Sequence, residues 1–172
     1  MLPIMAPPTI PLLTIKRNAI RLDASEWYLK ALVALWDAGR WWGVDPLVLA
    51  AQCAKETSYG RFGGAVVPGM GNTCGLKIRN ATGDLKDDHA VFPMADGFPI
   101  IGAVAHAHHL RLYAGFPVPI DSPDPRAVYL GPGTTNFGSA PLVALLGGRW
   151  APAPSYGVQV EGIMAKLAST SV

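Results

Sequence analysis

Apolar side chains recur at helical spacing along four stretches of the chain and lose that rhythm between them. In the first, Tyr28, Leu32, Leu35 and Gly39 share one side of a helix that follows Asp23 and runs to about Trp42. Asp23 and Glu26 stand at capping-box spacing, and Gly43 ends the element. The second has firmer punctuation: Asp45 as N-cap, Pro46 in the first turn and Gly60 as C-terminal cap predict a helix of about fourteen residues. Its Ala50, Ala51 and Ala54 predict close packing against a neighbour. A third helix opens near Asp96 and Gly97, takes Pro99 into its first turn and continues to about Tyr113; it is apolar on most sides and belongs in the core. The last begins near Ser155 and carries Val160, Ile163, Met164 and Leu167.

Between these segments the pattern is irregular. From Arg61 to Asp96 glycine, asparagine and short alternating runs predict loops and a small β-hairpin pairing Leu76 to Ile78 with Ala90 to Pro93. Phe116 to Pro141 is rich in proline, with a short turn at Pro125 to Leu130. Pro3, Pro7, Pro8 and Pro11 stiffen residues 1–22 into an extended lead-in, so the single domain is expected over 23–172. There is no internal repeat. The fold class is mainly α, with long Gly/Pro-rich loops.

Composition narrows the function classes. At 172 residues with half of them hydrophobic and 15% charged, the chain can bury a core and is not disordered. The net charge of +2, with no Lys/Arg run, indicates no nucleic-acid partner. The uncharged first fifteen residues lack a basic n-region and are broken by proline, so no signal peptide is expected, and the uncharged Ala127 to Gly148 stretch carries too much Gly and Pro to span a membrane. A soluble monomer is the expectation. Cys53 and Cys74 allow one disulfide at most and match no zinc spacing.

Glu56 is the strongest chemical candidate. On the second helix it shares a stripe with Leu49 and Cys53, in the last turn, where desolvation and the negative end of the helix dipole both disfavour the carboxylate. A carboxylic acid that keeps its proton toward neutral pH can protonate a leaving oxygen, as glycosidases require.

The words around Glu56 give that chemistry a context. Ala50 to Gly64 (AAQCAKETSYGRFGG), then Asn72-Thr73-Cys74-Gly75-Leu76-Lys77, then Phe92 to Gly97 leading to Ala105-His106 and His109-Leu110, then Trp150 to Gly157, follow one another in an order that resembles the glucosaminidase family of peptidoglycan hydrolases, glycoside hydrolase family 73. The resemblance covers about Val44 to Leu167. Cys74 departs from it, standing where the family often has Phe, and Ala114 to Leu145 has no counterpart. The resemblance implies a lysozyme-like, two-lobed helical domain with a groove, cleaving the β-1,4 bond after N-acetylglucosamine in bacterial wall glycan without metal or organic cofactor. It implies Glu56 as general acid, Tyr156 lining the groove near the cleaved sugar, and a distal acid at Asp87 or Asp88, with Asp84 a lesser option. If neither acts, the substrate's own 2-acetamido group can assist departure. Tyr59 and Trp150 are expected to bind sugar, with Asn72 and Gly75 as turn formers or groove walls. Trp41, Trp42 and Phe62 are further aromatic candidates, with core packing as their ordinary role. In the family layout the segments bearing Cys53 and Cys74 are neighbours, so a bridge is geometrically allowed if their Cα atoms come within about 7 Å.

Two other chemistries remain open at this stage. Cys74 precedes His106, His108 and His109 in the order a papain-like cysteine peptidase uses, which would cut wall peptides instead of glycan. His106 and His109 at i, i+3 can share a helix face, but no third zinc ligand stands at a telling spacing. A non-catalytic wall-binding or virion structural module is the alternative outside enzymes. The lack of wall-anchoring repeats and leader suits a phage lysis enzyme, moving from host cytoplasm to wall, or a virion-associated protein.

Overall fold

The computed structural model describes residues 1–170, leaving the last two positions of the expected domain outside the described residues. Five helices carry the fold: α1 (Leu12–Arg21), α2 (Glu26–Trp42), α3 (Pro46–Thr57), α4 (Ile100–Tyr113) and α5 (Tyr156–Ala168). Helix α2 packs on both α3 and α4, α5 covers α3, and α1 lies across α5 and α2. The expected stripe Tyr28, Leu32, Leu35 and Gly39 is buried, and the Tyr28 hydroxyl donates to the Ala50 carbonyl at 2.7 Å, joining α2 to α3.

The expected extended lead-in needs correction. Only its first part is extended; Leu12–Arg21 is helical, with Pro11 at the N-cap and Ile15, Asn18 and Ala19 buried. Pro11 is permitted there because a helix start has no use for its missing N–H, and Ile15 and Ala19 recur at the interval of one helical turn. The first residues belong to the core as well. Ile4 is buried, donating to the Pro141 carbonyl and accepting from Asp45 N–H.

Two helix boundaries also move. Ser25, not Asp23, caps α2: its oxygen accepts from Tyr28 N–H at 3.3 Å while its hydroxyl donates to the Gly60 carbonyl at 2.8 Å. Asp23 instead takes a left-handed φ of 58° and faces Arg61 at 3.6 Å. Helix α3 starts as expected, with the Asp45 carboxylate accepting from Leu47 N–H at 2.9 Å and Pro46 behind it. It stops at Thr57, short of Gly60, because Ser58, Tyr59 and Gly60 are all left-handed and turn the chain back toward α2. A side chain on Gly60 would collide with Ser25 Oγ at 2.3 Å, so that position requires glycine for space as well as for φ. A third boundary moves as well: helix α4 begins at Ile100, with Pro99 at its N-cap and a turn at Asp96–Gly97 ahead of it, later than expected, while its end at Tyr113 and its burial agree with the expectation. The Pro125–Leu130 turn is a 3-10 turn over Ala127–Tyr129.

In place of the expected β-hairpin there is a single bridge between Lys77 and His89, flanked by bonds from Ile78 N–H to the Asp88 carbonyl and from Ala90 N–H to the Leu76 carbonyl. The pairing cannot extend, because a 3-10 turn at Lys86–Asp88 takes over on one side. On the other side the Asn72 side chain does the work of a strand partner. Its amide donates to the carbonyls of Leu76 (2.8 Å) and Ala90 (2.9 Å), and its oxygen accepts from Leu76 N–H (3.0 Å) and Cys74 N–H (3.3 Å). No described helix is long and apolar enough to cross a membrane.

Candidate active site

A cavity of about 1020 Å³ opens between the C-terminal end of α3, the start of α5, the 74–84 loop and the 149–152 segment. That is at the upper end of ordinary ligand-site volumes, roughly 300–1,000 Å³. Glu56, Tyr156, Trp150 and Gly75 all line it, as do Phe62, Leu76 and His109. Its charged lining consists of Lys55, Lys77, Arg126 and Arg149 with Glu56 and Asp84 as the acids.

Glu56 is the penultimate residue of α3. By surface area Glu56 is exposed, because its side chain opens onto the cavity, yet enough protein surrounds the carboxyl that desolvation is the largest influence on it and holds its pKa above the usual range. The Tyr156 hydroxyl donates to Glu56 Oε1, and Lys55 and the Trp150 indole add smaller pulls; these three favour the carboxylate without cancelling the burial. Tyr156 is itself pushed far up by burial and by Glu56, so it keeps its proton and remains a donor. The second oxygen, Oε2, faces the Gly75 backbone: a Cβ built on Gly75 would lie 3.7 Å from it. Gly75 has φ of 71°, so any other residue there is strained.

A raised pKa is a statement about stability. Glu56 binds its proton more tightly in the folded chain than in the unfolded one, so its contribution is fully present below the ordinary carboxylate range and is lost as pH rises through the raised value. The melting temperature of wild type relative to Glu56→Gln should therefore fall between pH 4 and pH 8 in parallel thermal melts. A difference independent of pH would mean that the carboxyl is as solvated in the folded chain as in the unfolded one.

The remaining expected site residues divide. Tyr156 and Trp150 meet at the acid, as described. Asn72 is fully buried, does not line the cavity and has its hydrogen-bonding capacity committed to the loop, so it shapes the wall that carries Gly75 without facing the opening. Tyr59 also turns away: its left-handed backbone swings the ring onto Tyr28, at 5.7 Å between centroids, and Phe62 takes the lining position instead. Asp87 is exposed and outside the lining. The Asp88 carboxylate accepts from Leu85 N–H and Thr82 N–H, both at 3.0 Å, and those amides hold its pKa below the usual range. Asp84 does line the cavity, 3.1 Å from Lys77 Nζ and 3.4 Å from His89 Nε2. Trp41 is exposed, and Trp42 packs edge-on against His108.

Cys53 and Cys74 are both buried free thiols. Burial and the nearby Glu56 push the Cys74 thiol well above its ordinary value, the opposite of an activated nucleophile. The histidines are committed elsewhere: His106 to Gln52 and Thr73, His108 to Ser122 at 2.7 Å, and His109 to Asp124 at 2.8 Å. Among the described residues no group of three His, Cys, Asp or Glu side chains could hold a metal ion.

The site defined by this geometry is an open cavity lined by one carboxylic acid whose pKa is raised by desolvation, with a tyrosine donor on one oxygen and the Gly75 backbone near the other. No protein-family model, curated protein or solved structure matches the chain.

Proposed function

We propose that the protein is a peptidoglycan hydrolase of lysozyme-like, two-lobed type that cleaves the β-1,4 glycosidic bond after N-acetylglucosamine in bacterial cell-wall glycan, with Glu56 as general acid. The observation that carries this reading is the Glu56 carboxyl: its pKa is raised by desolvation, it accepts from Tyr156 on Oε1, and it lines a cavity large enough for sugar rings. The likeness of the Glu56, Asn72, Phe92 and Trp150 blocks to the glucosaminidase family supplies the substrate class. As the bond to the leaving sugar breaks, the proton on Glu56 moves to the glycosidic oxygen and the anomeric carbon takes on oxocarbenium character; water completes the hydrolysis by bonding to that carbon and giving up a proton, which restores the acid. Trp150 and Phe62 offer ring faces to the CH-rich faces of pyranoses.

Asp84 is the carboxylate besides Glu56 in the cavity lining and takes the place of the distal acid; the acetamido group of the substrate is the other route. Asp84→Asn should lower turnover of purified wall about 100-fold, the low end of general acid–base contributions, whereas Asp87→Asn and Asp88→Asn should leave it nearly unchanged. Equal losses in all three variants would remove Asp84 from the mechanism. The reaction itself is checked by mass spectrometry of digested wall, where N-acetylglucosamine must be the new reducing sugar. New free amines would mean peptide cleavage, and binding to wall without clearing would mean a non-catalytic module.

A further inference from the structure

Behind Tyr156 a line of polar side chains runs into the helical core. Gln52 Nε2 donates to the Tyr156 hydroxyl oxygen at 3.0 Å, His106 Nε2 is 2.9 Å from Gln52 Oε1, and His106 Nδ1 is 3.2 Å from Thr73 Oγ1. Gln52, His106 and Thr73 are all fully buried. Gln52 stands one helical turn before Glu56 on α3, so both side chains reach α5 together.

The donor directions in this line follow from the orientation of the Gln52 amide, whose Nε2 faces Tyr156 and whose Oε1 faces His106. Burial, and secondarily His109, pushes the His106 pKa down to about 3, so its ring is neutral and carries a single N–H. The Gln52 carbonyl oxygen can only accept, which places that N–H on Nε2 and leaves Nδ1 as an acceptor for the Thr73 hydroxyl, which is nearer to it (3.2 Å) than to its other partner, the Gly102 carbonyl (3.4 Å). Each group donates to the next, from Thr73 to His106 to Gln52 to Tyr156 and on to Glu56.

We propose that Gln52 is the positioning residue of this site: anchored by His106, its amide N–H occupies the oxygen of Tyr156, so that the hydroxyl proton has Glu56 Oε1 as its acceptor and Oε2 is left to carry the acid proton into the cavity. The role of Oε2 rests on the reading of Glu56 as general acid; the aiming of Tyr156 does not. Without the Gln52 donor the Tyr156 hydroxyl is a weaker and less directed donor, because successive hydrogen bonds polarise one another. The other groups around the carboxyl are Lys55 and Cys53 on its own helix, Cys74 on the facing loop and Trp150 on the segment before α5. None of these changes with Gln52.

The test is a carbon-13 NMR titration of the Glu56 side-chain carboxyl in the full chain, with no substrate present. Gln52→Met should lower its acid dissociation constant by a factor of about three, at the low end of couplings within one network. In a Tyr156→Phe background the same substitution should change nothing further, a result that a merely structural role would not produce. Thr73→Val, at the far end of the line, should shift the titration in the same direction by less, and it decides the matter if Gln52→Met fails to fold. A Glu56 titration unchanged in the folded variants, or an equal Gln52→Met effect with and without Tyr156, overturns the proposal. Wall assays on the same proteins are separate: an inactive wild type with a shifted titration would overturn the hydrolase reading and leave the aiming of Tyr156 intact.

Discussion

Glu56→Gln should reduce the release of reducing ends from purified cell wall by about 1000-fold, within the range ascribed to a positioned proton donor. The amide is nearly isosteric, and its oxygen can still accept from Tyr156, so the substitution removes the transferable proton while keeping the shape of the cavity. The wild-type rate should also fall as pH rises and Glu56 ionises, with that limb displaced upward from the ordinary carboxylate range because desolvation outweighs the pull of Tyr156. Tyr156→Phe deletes the bond that favours the ionised form and should move that limb further up. Retained activity in Glu56→Gln, measured with folding verified by near-ultraviolet circular dichroism, would end the assignment of the acid.

The largest effect on stability is expected from Asn72→Ala. One side chain accepts from the Cys74 and Leu76 N–H groups and donates to the Ala90 carbonyl, and it shares the Leu76 carbonyl with Ala90 N–H. Each polar group stranded without water costs roughly 1–3 kcal/mol, and some of that cost is relieved when the loop relaxes. A net loss of about 3 kcal/mol is expected, which for a chain of this size lowers Tm by roughly 6–12 °C. Activity should fall with it even below the melting point, since the Gly75 backbone that faces Glu56 Oε2 is held in place by these bonds. Asn72→Asp keeps the acceptors but sets a buried carboxylate against the Leu76 and Ala90 carbonyls, so at neutral pH its Tm should fall at least as far as that of Asn72→Ala. An Asn72→Ala protein that melts like wild type would mean that the loop is supported by packing alone.

Much of the helical frame was legible in the chain because its punctuation is local: Asp45 and Pro46 start α3, Gly43 ends α2, and the burial of Tyr28, Leu32 and Leu35 follows from spacing. Misreadings arose where two local rules competed. Four prolines overshadowed the helical interval between Ile15 and Ala19, and Asp23 had the better capping spacing while Ser25 had the tertiary partner in Gly60. Glu56 was visible as a carboxyl in a late helical turn. Its neighbours were less so, because contacts such as Gln52 to Tyr156 join residues far apart in the chain. The four-residue interval from Gln52 to Glu56 was the one local sign that both side chains could reach the same partner. Tyr59 was misplaced for a different reason: nothing in its side chain announces the left-handed backbone that turns it away.

The cavity mouth carries four cationic side chains against two acids although the whole chain is only +2, so the field there is more positive than the average surface. Wall strands bearing acidic stem peptides would be drawn toward that opening before any sugar ring makes contact, and such steering accelerates encounter without strengthening the final complex. Because ions screen exposed charges beyond about 8 Å at physiological salt, capture of such a polymer would depend on ionic strength, whereas the Glu56 carboxyl, partly desolvated inside the cavity, would feel it less.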